Sequence, residues 1–331
     1  MRANIQANVS DAWIRITYYD FRYVKTIYPE DLSHRDRHQL LLGGVAPRPV
    51  AFVATLDVHG TPNLAPFSFF GAYSSKPPTV AIGPAIGAKT GLAKDTLLNL
   101  VRSKECTISA VSYAMVHQTN LTSAPYPHGI SEFEKGGFMM SPSTIVAPPF
   151  VAESPFSMEC KLVEYIEIRR DIGGNGNILL LEVVAFHVSD HVWDNNGAID
   201  PHKMDLVGRM GLSWYTRARE TFWAVQPPHI PIAMDGLPEH IRRSTILTGN
   251  DLARLAYLPN IPVSNPDFIK VGNDNRDYDL ETELTAGNPA GALLSGVHSG
   301  AIHDETTRHR IAKCFLDADM VDEAWQTLLL V

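Results

Sequence analysis

"PNLAPFSFFGAYSSKPP", residues 62–78, decides how the first two thirds of this chain is read. It is apolar and aromatic, as a buried strand is. Yet Pro66 stands in its middle, where a paired strand needs a backbone donor. Ser68 stands among Phe67, Phe69 and Phe70. Two readings fit these residues alone. One is a set of core aromatics on a kinked strand. In the other, Pro66 sits at a strand edge or bulge, where its missing N–H is harmless and side chains are re-aimed. Free backbone groups there bond the edge of a planar heterocycle, and Phe67 or Phe69 supplies a stacking face.

The flanking sequence is β-rich. "PVAFVATLD", 49–57, reads as an apolar strand ending in "DVHG", a hairpin turn with Gly60 where positive φ is wanted. "TVAIG" 79–83, "CTISAV" 106–111, "SMECKLVEYIEI" 157–168 and "NILLLEVVAFHVSDHV" 177–192 read as further strands, with "GGNGN" 173–177 as a turn. Short antiparallel strands with tight turns favour a barrel or sandwich over a parallel α/β sheet. A helix is predicted over 96–104, with Leu97, Leu98 and Val101 on one face and Asp95 or Thr96 as its cap. "SEFE", 131–134, has the capping-box pattern, and 208–225 reads as a helix with aromatic anchors.

Beyond the Pro-rich "QPPHIPIAMDGLPEH" the chain changes character. A capped helix is predicted over 248–259. Residues 265–284 and 285–296 have loop chemistry at many positions. Ile311, Phe315, Trp325 and Leu329 lie at the spacing of one terminal helix that docks by that face. The expected organisation is a leader at 1–24, a β-rich domain at 25–225, and a partly helical extension at 226–331 packed on it.

The composition narrows the function. The 331 residues are 45% hydrophobic and 19% charged, enough apolar side chain for a globular core. The net charge of −8 argues against a nucleic-acid or anionic-membrane partner. It is concentrated in residues 226–331, which carry 8 basic and 15 acidic side chains. No apolar run reaches 18 residues, so no membrane-spanning helix is expected. The first 20 residues lack a signal pattern, and Cys106, Cys160 and Cys314 form no CxxC pair. Free buried thiols in a reducing cytoplasm are the expectation. The 13 histidines form no metal pattern; His34 and His38 stand four apart in a charged segment with no third ligand.

Three further stretches bear on chemistry. "KDT", 94–96, opens the helix predicted over 96–104. A helix N-terminus with a lysine and a hydroxyl suits a phosphate, although a plain capped helix explains the same residues. "APRPV", 46–50, holds Arg48 between prolines, either for a phosphate or carbonyl oxygen or for a surface salt bridge. "NLTSAPYPHGISEFE", 120–134, is a loop of the kind that walls a pocket or meets a subunit. No catalytic acid or base stands out.

Taken together, these segments resemble the flavin reductase-like family with an FMN-binding split barrel. The resemblance runs from about residue 25 to about residue 220 and rests on four ordered stretches. They are "GGVAPRPVAFVATLDVHGTPNLAPFSFFGAYSSKPPTVAIG", "KDTLLNL", "NLTSAPYPHGISEFE" and "VAESPFSMECKLVE". It implies a mainly β fold: an antiparallel Greek-key split β-barrel with flanking helices, usually a homodimer with FMN near the subunit interface. It implies flavin contacts from Arg48 and Pro49, from Asn63, Ala65, Pro66, Phe67, Ser68 and Phe69, and from Lys94, Asp95 and Thr96, with Ala124 in the same pocket. Lys94 and Thr96 fall to the phosphate and the backbone of 65–69 to the ring.

Members that use a nicotinamide often carry Gly-Asp-His before the last long strand. Here Asn177 stands where that histidine is expected. The resemblance therefore leaves two main readings: an FMN-dependent oxidoreductase with NAD(P)H or another donor, or a flavoredoxin-like electron carrier. A split-barrel interaction domain that has lost its cofactor is a third.

Overall fold

The computed structural model describes residues 24–87, 91–168, 176–222, 224, 229–269 and 279–330. The chain forms two compact units, Thr26–Phe222 and a second containing Trp223–Val331. Among the described residues, no helix is long and apolar enough to cross a membrane.

The first unit begins with α1 (His34–Gly44), capped by Ser33, whose hydroxyl accepts from the Asp36 amide. Then come β1 (Arg48–Pro49), β2 (Ala51–Leu56), β3 (Pro62–Phe67), β4 (Phe70–Ser75) and β5 (Pro78–Ile82). The opening stretch is thus two strands, broken at Ser68 and Phe69. Helix α2 (Asp95–Ser103) leads to β6 (Glu105–Ala110). The connection onward holds α3 (Val116–Leu121), α4 (Glu132–Gly136) and a ribbon of β7 (Met140–Ser141) and β8 (Phe150–Val151). The long strands β9 (Phe156–Glu167) and β10 (Asn177–Val188) follow, then α5 (Pro201–Met204).

Seven strands form one sheet in the order β3-β2-β6-β9-β10-β5-β4, every pair antiparallel. Its two edge strands, β3 and β4, are consecutive in the chain and only two residues apart. The sheet must therefore curl until its edges meet at that corner, which makes a split barrel. Strand β2 is buried on both faces, which explains the unbroken apolar run "VAFVA". Ala51 and Val53 join the cluster of Ile82, Leu97, Leu100 and Leu179. Val50, Phe52 and Ala54 join that of Val111, Phe133 and Val207. Helix α2 contributes Leu97 and Leu100 to the core while Leu98 is 55% exposed, so the buried face differs by one position from that expected.

The described residues of 208–225 are not a helix. Val207–Arg209 (β11) and Tyr215–Arg217 (β12) form a hairpin that pairs with β1. Gly208 is needed for the close approach: a Cβ there would lie 2.9 Å from the Pro47 Cβ. Leu212 has a φ of 53°, which a helix excludes. The aromatic spacing serves a cross-strand contact instead, with the Arg209 guanidinium 4.7 Å from the centre of the Tyr215 ring. Trp223 and Val225, and residues 173–175 of the expected turn between β9 and β10, lie outside the described residues.

The second unit is helical: α6 (Glu239–Arg242), α7 (Gly249–Leu255), α8 (Leu280–Thr285), α9 (Pro289–His298), α10 (Glu305–Asp317) and α11 (Val321–Leu328). Thr248 and Asp251 form a capping box on α7. Residues 285–296, which have loop chemistry, are largely helix. Gly296 is a contact residue, since a Cβ would come 2.8 Å from the Ile311 side chain of α10. The single terminal helix expected is two, broken where Asp319 has a φ of 62°. Trp325 is fully buried and donates to the Leu255 carbonyl at 3.1 Å.

Candidate functional site

The β2–β3 hairpin is set by Asp57, whose carboxylate accepts from the His59 and Thr61 amides, both at 2.8 Å, with Gly60 at a φ of 84°. Strand β3 pairs with β2 alone, so alternate residues direct their backbone groups away from the sheet. Leu64 is one: its N–H donates to Glu132 Oε2 at 2.9 Å. Pro66, two residues on, has the same phase, so the missing donor faces outward and the ladder loses nothing.

Helix α2 starts beside this edge. Lys94 is its N-cap, one residue before the expected cap, and makes no side-chain capping bond. The first-turn N–H groups and the dipole end are thus left without a capping side chain. A buried polar network fixes the helix against the sheet. Asn63 donates to Thr96 Oγ1 at 2.9 Å, and both Asn63 (3.4 Å) and Asn99 (3.2 Å) reach Thr55 Oγ1.

Between β3, α2 and the loop after α3 lies a cavity of about 220 Å³. It brings together Asn63, Ala65, Pro66 and Phe67 from β3, Lys94, Asp95 and Thr96 from the start of α2, and Ala124 from the loop. The other four expected residues are elsewhere. Arg48 is buried, and its guanidinium donates to the carbonyls of Leu42 (2.6 Å), Val45 and Met210 (3.1 Å). It also lies 3.4 Å from Ser68 Oγ. Burial and the nearby Arg209 charge lower its pKa. Arg48 is therefore an internal tie between α1, β1 and the β11–β12 loop. Pro49 pairs with Gly208 and borders a separate apolar cavity of about 240 Å³. Phe69 is 40% exposed, and its carbonyl accepts from the Gly83 amide at 2.7 Å.

Thr122, Ser123, Tyr126 and Glu132 also line the cavity without having been singled out as site residues. For Glu132 the signal was misleading. The "SEFE" pattern points to Ser131 capping the helix, but among the described residues Ser131 makes no capping bond and its buried hydroxyl has no partner. Glu132 is buried and turns to Leu64 instead. Burial pushes its pKa up; the Leu64 and Glu132 amides oppose this, Asp95 adds to it, and Lys94 opposes it. Asp95 lies 3.3 Å from His128 Nδ1.

Asn177, at the position where a nicotinamide-contacting histidine is expected, is buried. It donates to the Pro84 carbonyl at 2.9 Å and accepts from Tyr165 Oη at 3.0 Å. Its amide is committed to holding the start of β10.

A curled antiparallel sheet whose edge strands β3 and β4 are joined at one corner defines a split-barrel protein, and the polar cavity beside β3 is its candidate site. The chain belongs to the flavin reductase like domain family, whose model matches residues 43–219. An uncharacterized protein of Halalkalibacterium halodurans is 35% identical over 205 residues, covering 60% of this chain and 95% of that protein. Nitrilotriacetate monooxygenase component B from Bacillus cereus superposes with a TM-score of 0.58 at 29% identity, covering 61% of this chain and 98% of that one. A split-barrel-domain protein from Shewanella frigidimarina has a TM-score of 0.53 at 24% identity, covering 62% of this chain and all of that one, a likeness of fold. The family match stops before the helical unit.

Proposed function

We propose that this chain is an FMN-binding oxidoreductase whose cofactor phosphate occupies the cavity at the start of α2. One observation carries this reading. A helix N-terminus without a side-chain cap, a lysine, a buried threonine hydroxyl and an open strand edge converge on one small cavity. The donor set fits a phosphate: Lys94 supplies charge, and the first-turn amides supply oriented N–H groups. At about 220 Å³ the cavity is below the usual size for a whole ligand. It suits the phosphate and part of the sugar chain, so the ring extends beyond it along the backbone of Ala65–Phe67. A second subunit is the natural cover for such a ring, which favours a homodimer.

Bound FMN would supply the hydride or single-electron chemistry, and the chain's residues would hold it and limit water access. The electron donor in this reading is NAD(P)H or a second redox component. Asn177 favours the second: it is buried, and its amide bonds the Pro84 carbonyl and the Tyr165 hydroxyl, so it does not present an exposed side chain to a nicotinamide. The test is a visible spectrum of the purified full chain with FMN, followed by NADH or NADPH without air. Bleaching within minutes supports a reductase. A stable flavin spectrum that bleaches only with a protein donor supports a carrier. A protein that retains no FMN overturns both.

A further inference from the structure

We propose that Glu132 is the proton-holding residue of this cavity: it takes up a proton as a phosphate monoester enters, and so lets a site with two carboxylates accept an anion. The inference rests on the cofactor reading above. Glu132 is the first residue of α4 and only 8% exposed. One oxygen is fixed by the outward N–H of Leu64, and the side chain lines the cavity together with Lys94, Asp95 and Thr96.

The charges facing it are few. Lys94 and Asp95 come from α2, and His128, from the loop before α4, pairs with Asp95. Glu134 and Lys135, on α4 itself, are exposed, and β3 (Pro62–Phe67) carries no charged side chain. Lys94 thus faces two carboxylates, Asp95 and Glu132. A phosphate monoester adds about 1.5 to 2 negative charges at neutral pH. A like charge a few ångströms from a buried carboxylate favours its protonated form. Burial and Asp95 already push Glu132 in that direction.

Protonation also suits the geometry. A neutral carboxyl keeps its carbonyl oxygen as acceptor for Leu64 and gains an O–H that can donate to a phosphate oxygen. The proton comes from solvent, and no covalent bond changes. The competing arrangement keeps Glu132 ionised and uses it to accept from a sugar hydroxyl. It predicts no proton uptake.

Calorimetric titration of FMN into the full chain, in buffers of different ionisation enthalpy, counts protons taken up per FMN bound. The difference between wild type and Glu132→Gln counts the protons that depend on the Glu132 carboxylate, and a protonated-carboxyl infrared band on FMN addition places them on Glu132 rather than on the phosphate. Glutamine keeps an acceptor for Leu64. The expected result is up to one more proton per FMN in wild type than in Glu132→Gln, with no such difference for riboflavin. Between the pKa of Glu132 in the free protein and its higher value with FMN bound, wild-type affinity should fall up to tenfold per unit rise in pH relative to the variant. Equal proton counts with FMN bound to both proteins would overturn the inference and leave the cofactor reading standing. Absence of FMN binding by wild type would overturn both. If Glu132→Gln does not fold, the infrared difference spectrum of wild type on FMN addition decides. A new protonated-carboxyl band supports the inference, and its absence refutes it.

Discussion

Replacing Thr96 by valine tests how the cavity is built. Thr96 is 1% exposed, and its hydroxyl accepts from the Asn63 side chain at 2.9 Å. Valine preserves shape and β-branching but removes the acceptor. The other acceptor of Asn63 Nδ2 among the described residues, Thr55 Oγ1, is at 3.4 Å and already receives Asn99. A buried donor is thus left nearly unpaired, at a cost of about 1–3 kcal/mol. That corresponds to a roughly 5- to 150-fold easier local opening of α2. Amide hydrogen exchange of α2 in the cofactor-free full chain reads it directly. Thr96→Ser, which restores the hydroxyl, should recover most of the lost protection. Wild-type protection in Thr96→Val would refute the claim that this network fixes the helix against the sheet.

Other outcomes follow from buried ties elsewhere. Glu159 is fully buried and accepts from the Thr144, Ile145 and Val146 amides, the Thr144 hydroxyl and His187. Burial alone would raise its pKa, but the Thr144 amide, His187, the Thr144 hydroxyl and the Val146 amide outweigh it and hold it at about 2. Its folded value is below its ordinary 4.5, so the stabilisation is complete above that pH and is lost as pH falls towards 2, in all about 3 kcal/mol. Protection of the Ile145 and Val146 amides should drop over that range in wild type and show a flat profile in Glu159→Gln; a flat wild-type profile would contradict this. Arg48→Ala frees three carbonyls and should speed tryptic cleavage at Arg35 and Arg37 in α1, whereas an unchanged rate would contradict the internal tie. Trp325→Ala should cost the helical unit about 3–5 kcal/mol in denaturant unfolding followed by circular dichroism, and a loss below 1 kcal/mol would show that the Trp325 pocket collapses readily.

Much of the barrel was legible because alternation and turn chemistry are local. The runs at 49–57, 79–83 and 106–111 became β2, β5 and β6, and Gly60 took its positive φ. What failed depended on partners distant in sequence. Arg48 reads as a ligand or surface residue until the Met210 carbonyl, 162 residues on, is seen beside its guanidinium. The aromatic spacing after Gly208 mimics a helix, but the close approach of Pro47 and the pairing with β1 select a hairpin. Gly296 of α9 looks like a loop residue because nothing local reveals that Ile311 of α10 must pack against it. At the site, "NLAPF" and "KDT" were legible as separate stretches. Glu132 was not, because its partner is a backbone amide 68 residues away.

The central claim is that a phosphate sits at the start of α2. Lys94 is exposed at the N-cap and makes no capping bond, so Lys94→Ala should leave the fold unchanged. The decisive measurement is the affinity of wild type and Lys94→Ala for FMN and for riboflavin, at low and high salt. The account predicts that FMN affinity falls by about 5- to 30-fold in the variant, with a weaker salt dependence, while riboflavin affinity is unchanged. Equal losses for both flavins, or no loss for FMN, would contradict the placement of the phosphate.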